Sequence, residues 1–352
     1  MTSRERVLTA LDHRTPDRIP VYADFTPEAG ESMARRLSVD RGEPVTPADI
    51  PAVLGLDMVV AGHGVGMSYY AHSEEEYTCE WGIGWRWVDV AGGRYTEIVG
   101  HPLADERALD GWSPPEPDMP GKYDRMEELL ASHGAIHAVV GGMGSILFEP
   151  AWHLRGFEQF LMDLATNEDF VTVLLDKIEA HQLVTGKRLA ALGADILWLG
   201  DDFGTQESLI CSPETFRRHF KDRYARLFGA FHEVKPDIHI AFHSDGNVEA
   251  LLPDFIDMGV DIFQAVQPKS VDPARLKRRF GDRLSFWGAI DIQETMPFGT
   301  PADVRDEVRL RMETVGRGGG YILAPSHAIQ PDVPVENVLA LFGAVEEFGY
   351  YR

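Results

Sequence analysis

The stretch ADILWLGDDFGTQ, residues 194–206, holds the repeating unit from which the rest of the fold can be read. Ile196–Gly200 is a short, wholly apolar run, fit for a strand covered on both faces, and such strands belong to parallel sheets with helices on either side. Asp201 and Asp202 follow at once, at the C-terminal end of that strand. Upstream, Asn167 followed by Glu168 and Asp169 starts a helix whose Val171, Leu174, Leu175 and Ile178 recur at i, i+3, i+4 and i+7, and Gly193 marks its end.

Working outward, the same alternation predicts strands at residues 238–242, 261–266, 284–289 and Tyr321–Pro325, and earlier ones at 19–22, 57–61 and 136–141, a total of eight. Ser212-Pro213, Asp272-Pro273 and Thr300-Pro301 each read as a side-chain cap followed by proline in the first helical turn. The expected fold is α/β: a (β/α)8 TIM barrel, with residues 1–352 as a single domain. One segment departs from the pattern. Over residues 68–118, Trp81, Trp85, Trp87 and Tyr95 alternate with polar residues around Gly92-Gly93, which predicts an aromatic β-hairpin excursion, either a surface ribbon or a lid over a site. The Pro-rich residues 113–120 read as its return linker, and Gly318-Gly319-Gly320 as a flexible turn.

The chain has 352 residues, 44% of them hydrophobic, enough for a large core and against a disordered or fibrous class. Its formal charge of -23 argues against a nucleic-acid or anionic-membrane partner. No apolar run approaches the roughly 18–20 residues of a membrane span, so a cytoplasmic location is the expectation. Cys79 and Cys211 stand far apart, with neither a disulfide framework nor a thiolate zinc motif.

In a parallel β/α barrel the reactive groups sit at the C-terminal ends of the strands. Here successive predicted strands deliver Asp201-Asp202, then His243-Ser244-Asp245, Gln264 and Gln267, Asp291 and Gln293, and finally His327. Asp202, which opens a long loop, and Glu149, in Phe148-Glu149-Pro150, are the candidate acid–base groups. Asp201, Gln206, Gln267, Asp291 and Gln293 are candidate substrate-binding residues. His243 and Asp245, two apart on an extended segment, point to one side, and His327 arrives from another strand. Such a set suits zinc with an open fourth position; the same pair equally describes a histidine oriented by a carboxylate for proton transfer.

At these residues the chain resembles the uroporphyrinogen decarboxylase superfamily, which holds tetrapyrrole decarboxylases and cobalamin- or corrinoid-linked methyltransferases. The resemblance rests on Arg4-Glu5-Arg6-Val7-Leu8, Pro16-Asp17-Arg18-Ile19-Pro20, Asp202-Phe203-Gly204-Thr205-Gln206, His243-Ser244-Asp245-Gly246-Asn247, Phe286-Trp287-Gly288-Ala289-Ile290-Asp291 and Ala324-Pro325-Ser326-His327. Two departures point away from the decarboxylases. Their arginine-bearing propionate clamp is replaced by Tyr22-Ala23-Asp24-Phe25-Thr26-Pro27-Glu28, and their Phe-Ser-Asp-like strand end by Val59-Val60-Ala61-Gly62-His63-Gly64. The methyltransferase branch implies zinc held by a His-x-Cys motif and one later residue, positions that fall here on His243, Asp245 and His327. With Asp in place of Cys, Zn²⁺ keeps a net charge of +1 over that set, which favours polarising an ether or hydroxyl oxygen. The resemblance thus implies a metal-dependent methyltransferase, an O-demethylase passing a methyl group from a small methoxylated substrate to a corrinoid protein, and a homodimer. A metal-free decarboxylase acting through Asp202 and a non-catalytic corrinoid- or partner-binding barrel are the alternatives.

Overall fold

The computed structural model describes residues 1–63, 73–90 and 93–351. Among the described residues there are ten strands: β1 (Met58–Gly62), β2 (Glu76–Thr78), β3 (Gly84–Val90), β4 (Gly93–Gly100), β5 (Ala138–Ser145), β6 (Ile196–Gly200), β7 (His239–His243), β8 (Ile262–Val266), β9 (Ser285–Ile290) and β10 (Tyr321–Pro325). Seven of them, β1 and β5 to β10, form the main sheet, and β2 to β4 a small one. The fold is α/β, and the chain divides into two compact units.

The first unit comprises Met1–Val59, His133–Val139 and Asp261–Arg352. Its β9 and β10 pair in parallel from Tyr321 opposite Phe286 to Pro325 opposite Ile290, and β8 pairs in parallel with β9. The strand expected at residues 19–22 is reduced to a bridge. Leu323 donates to the Pro20 carbonyl and Tyr22 donates back to Leu323, while Asp57 donates to Val21 on the other side. Within this segment Pro20 has no N–H to give, and the N–H groups of Ile19 and Val21 go to the Gly349 carbonyl and the Asp57 carboxylate, so no full ladder forms and the expected count of eight strands falls to seven among the described residues. The triple glycine ahead of β10 lies in a turn whose last two residues are also a close approach. All three have positive φ, and a Cβ on Gly320 would lie 2.8 Å from His13 Nδ1.

The second unit comprises Val60–Ser132 and Val140–Val260. Here β5, β6 and β7 pair in parallel, with Ile196 opposite Val140 and His239, and Gly200 opposite Ser145 and His243. The helix Glu168–Leu192 buries Val171, Leu174, Leu175 and Ile178 completely and ends on left-handed Gly193, as its periodicity predicts. Its first turn is capped differently from expectation. Asn167 makes no side-chain cap and instead donates its amide to Glu106, 3.0 Å away. Ser212, Asp272 and Thr300 do cap their helices, and Thr300 with Asp303 forms a reciprocal capping box. Thr300→Ala is expected to lower stability by about 1 kcal/mol in a urea melt.

The aromatic excursion is a three-stranded antiparallel sheet over residues 76–100, in which Trp87 faces Thr96 and Val88 faces Tyr95. Residues 68–72 and the Gly92 half of the expected turn lie outside the described residues. Trp81 and Trp85 are each 1% exposed, so they act as anchors and not as walls of an open pocket. Trp81 meets His181 edge-on at 4.7 Å and Trp85 meets His153 edge-on at 5.9 Å. Burial, and to a lesser degree His101, pushes His153 down to about 3 from an ordinary 6.5.

That shift predicts a pH dependence. The folded state keeps His153 neutral while the unfolded chain protonates it near pH 6.5, so this contribution is whole above pH 6.5 and is lost as pH falls toward 3. The slope from this residue is about 1.4 kcal/mol per pH unit. Urea melts between pH 6.5 and 4 should show a steeper loss in the wild type than in His153→Phe.

Candidate metal centre

Two loops of the second unit meet because glycine lets their backbones touch. A Cβ on Gly200 would lie 2.0 Å from the His243 carbonyl, and one on Gly204 2.5 Å from that of Asp245. Across this contact Asp201 donates its N–H to the His243 carbonyl at 3.1 Å, and Asn247 donates to Thr205 at 2.7 Å. The Asp201–Thr205 loop and the His243–Asn247 loop therefore present their side chains together.

Asp202, His243 and Asp245 converge, each with a ligand-capable atom within 4.8 Å of the others. His243 Nε2 lies 3.4 Å from Asp202 Oδ1 and 3.9 Å from Asp245 Oδ1. Asp202 Oδ1 also accepts the Asp245 N–H at 2.8 Å, which fixes the carboxylate. Trp198 stands edge-on to the imidazole at 5.5 Å and limits its rotation. The three side chains keep 36%, 17% and 27% of their surface in the order Asp202, His243, Asp245, so a ligand can reach them.

The donor set fits a divalent ion: one imidazole nitrogen and two carboxylate oxygens, already close, with a fixed orientation and an open side. Of the set expected from the sequence, it holds His243 and Asp245, joined by Asp202; His327 lies in the first unit, is exposed, and has Asp24 as an electrostatic neighbour. Two carboxylates and a neutral imidazole cancel the charge of a divalent ion, where the expected set would have left +1.

Next to this cluster, Glu149 accepts the Ser145 hydroxyl at 2.7 Å and the Asp202 N–H at 3.3 Å through Oε2. Burial first, then the carboxylates of Asp202 and Asp201, raise its proton affinity above that of an ordinary glutamate. Asp201 has a different part. It is fully buried, and its oxygens accept the N–H groups of Ile146, Leu147 and Glu149 at 3.2, 2.9 and 2.9 Å and the hydroxyl of Tyr224. These bonds hold the turn that carries Glu149 and leave no oxygen free for a substrate. Tyr224 and Ser145 are functional neighbours that the sequence did not single out, and Ser244, given no role there, accepts the Phe203 N–H through its hydroxyl at 3.0 Å.

The other expected substrate-binding residues fall in both units. Gln206 is exposed in the second unit. In the first, Gln267 is buried and Gln293 exposed, and Asp291 caps its own loop by accepting the N–H groups of Gln293, Glu294 and Thr295 at 2.8, 3.4 and 3.4 Å.

Comparison with known proteins shows the family and the fold. The uroporphyrinogen decarboxylase (URO-D) family model matches residues 82–348. A methylcobamide:CoM methyltransferase of Methanosarcina barkeri is 27% identical over 211 residues, 60% of this chain and 58% of that protein. A methylated-thiol–coenzyme M methyltransferase of Methanosarcina mazei is 28% identical over 200 residues, 57% of this chain and 51% of its own length. This chain therefore spans little more than half the length of those relatives. A uroporphyrinogen decarboxylase of Pseudoalteromonas translucida is 40% identical over 72 residues, 20% of each chain. Among solved structures, a methyltransferase from Methanosarcina mazei superposes with a TM-score of 0.73 over 99% of both chains at 22% identity, which shows a shared fold. No helix among the described residues is long and apolar enough to cross a membrane. With the family model accounting for residues 82–348 and the fold shared from end to end, the chain belongs to the uroporphyrinogen decarboxylase family.

Proposed function

We propose that the chain is a methyltransferase of this family that exchanges a methyl group between a small molecule and a corrinoid carried by a partner protein, using a divalent ion, zinc by chemistry, at Asp202, His243 and Asp245. The observation that carries the reading is the convergence of these three side chains in one unit; the similarity to two methyl-transferring proteins supports it. When bound, the ion supplies Lewis acidity toward a substrate oxygen or sulfur. Hard carboxylate donors match it to an oxygen more than to a soft thiol, so a methoxylated compound is the proposed methyl donor.

The rest is done by the chain's own groups. Asp202 and Asp245 hold His243 between them, and Asp201 with Tyr224 fixes the turn that brings Glu149 alongside. Glu149 is placed to give a proton to the departing oxygen, which retains the bonding electron pair as its methyl carbon is taken by the reduced cobalt of the corrinoid. The balance closes with an alcohol or phenol and a methylated corrinoid. Glu149→Gln is expected to slow transfer by about 10²-fold while leaving bound metal unchanged. The reaction class is tested by mixing the protein with reduced corrinoid and small methoxylated compounds and following cobalt–carbon bond formation by absorbance. Methylation of the corrinoid supports the reading; release of carbon dioxide from a carboxylated substrate without metal would replace it.

A further inference from the structure

The proposed chemistry leaves unused a second polar cluster in the unit of Val60–Ser132 and Val140–Val260. It joins His63 at the end of β1, Trp81 before β3, Lys122, and His181 with Gln182 in the middle of the helix Glu168–Leu192. Apart from Lys122, which is half-buried, these residues are buried: His63 is 4% exposed, Trp81 1%, His181 3% and Gln182 0%. Several of their polar atoms are shut off from solvent with no partner at hydrogen-bonding geometry among the described residues: His63 Nε2, Trp81 Nε1 and Lys122 Nζ, together with the His181 ring and the Gln182 amide, which interact with one another and have no other partner. Burying even one such group unsatisfied costs about 1–3 kcal/mol, and more for a charge. A cluster of this size points to a missing occupant.

These residues share one place. Trp81 meets the His181 ring at 4.7 Å, and His63 stacks on Tyr123, the neighbour of Lys122, at 5.2 Å. The Lys122 ammonium acts on both imidazoles, which burial chiefly and Lys122 in addition keep below the ordinary histidine range. His63 Nδ1 lies 3.0 Å from the Ala61 carbonyl, which makes it the donor and leaves Nε2 as an acceptor. The cluster is nevertheless rich in donors, with the ammonium, the indole N–H, an imidazole N–H and an amide NH₂. Its one formal charge has no carboxylate within ion-pair reach among the described residues, in a chain of net charge -23. Water could satisfy the hydrogen bonds but not the charge, and the ammonium repels a metal ion.

We propose that this cluster is a binding site for a small singly charged anion, a halide or the carboxylate of a small acid, held by Lys122 and the donors of Trp81, His181 and Gln182. The site is distinct from the Asp202–His243–Asp245 cluster and does not depend on the methyl-transfer reading.

The test uses the purified chain and thermal unfolding at constant ionic strength, with bromide or formate replacing gluconate, an anion too bulky to enter. The site predicts a saturable rise in Tm of about 2–4 °C for the wild type. Lys122→Met should have a higher Tm than the wild type in gluconate, because no unpaired ammonium remains, and should lose the rise. Gln182→Leu provides a second variant, with a saturation midpoint raised at least about threefold. Tighter saturation by formate than by bromide marks the carboxylate as the occupant, and the reverse marks the halide. Bromide-soaked crystals should show an anomalous peak at hydrogen-bonding distance from Lys122 Nζ. No saturable shift with either anion, an equal shift in Lys122→Met, or a pocket holding only water would overturn the proposal.

Discussion

Asp57→Ala is expected to destabilise the protein by about 3–5 kcal/mol, more than the loss of any helix cap or exposed ion pair in the chain. Asp57 is fully buried, and its carboxylate accepts from Arg6 Nη1 and Arg18 Nη1, each at 2.7 Å, and from the Val21 N–H at 2.8 Å. Arg6 in turn holds Asp17 through Nε at 2.7 Å and Nη2 at 2.9 Å. Removing Asp57 leaves two guanidinium groups and a backbone donor around an uncompensated hole. The arginine side chains keep 10% and 17% of their surface, so water relieves part of the cost and the loss should fall in the lower half of the range. Removing one pair of the cluster together, as in Arg6→Met with Asp57→Leu, should cost less than the sum of the two single changes, because Arg6 and Asp57 then leave no charge stranded by the other and Arg18 alone loses its carboxylate. Chemical denaturation of the three variants measures this. A loss below about 1 kcal/mol for Asp57→Ala would mean that the charges are solvated without one another.

This cluster shows what the sequence makes legible and what it does not. Arg4–Leu8 and Pro16–Pro20 are recognisable as a resemblance, but their role as an ionic clasp requires Asp57, which lies beyond the helix that follows them. Strands in the second half are legible because their apolar runs are short, β-branched and followed by polar residues; Tyr321–Pro325 matches its expected bounds, and its neighbours shift by a residue at either end. β5 runs past its expected end because Gly141-Gly142-Met143-Gly144 carries no strand propensity of its own and is held by its neighbours, with Gly144 opposite Leu199. Residues 19–22 have the composition of a strand but not the free donors.

At the candidate site, the residue types are legible and their division of labour is not. Asp201 and Asp202 are chemically identical and adjacent, yet consecutive side chains leave an extended segment on opposite sides. One goes to Tyr224 and the turn of Glu149, the other to His243. Period-two alternation continued past Gly200 could have separated them. The partner of His243 depends on the parallel register that sets Gly200 opposite His243, and a single sequence does not encode register in a form that can be read directly.

His243→Ala is expected to remove bound metal and to lower methyl transfer on the order of 10³-fold, with little change in Tm. The imidazole is the only nitrogen donor of the cluster, and it lies between two carboxylates that would be left to repel each other. Little stability should be lost because the side chain is partly exposed and sits beyond the packed part of β7, where Ile240, Ala241 and Phe242 are fully buried. Asp202→Asn should weaken metal binding less than His243→Ala, since the amide oxygen remains a ligand while one charge is gone.

The most direct measurement is elemental analysis of the wild type and His243→Ala, both purified without chelators and then dialysed against buffered zinc. The account predicts about one divalent ion per wild-type chain and a small fraction of that in the variant. A wild type that takes up no stoichiometric ion, or a variant that retains as much as the wild type, would contradict a metal centre at Asp202, His243 and Asp245.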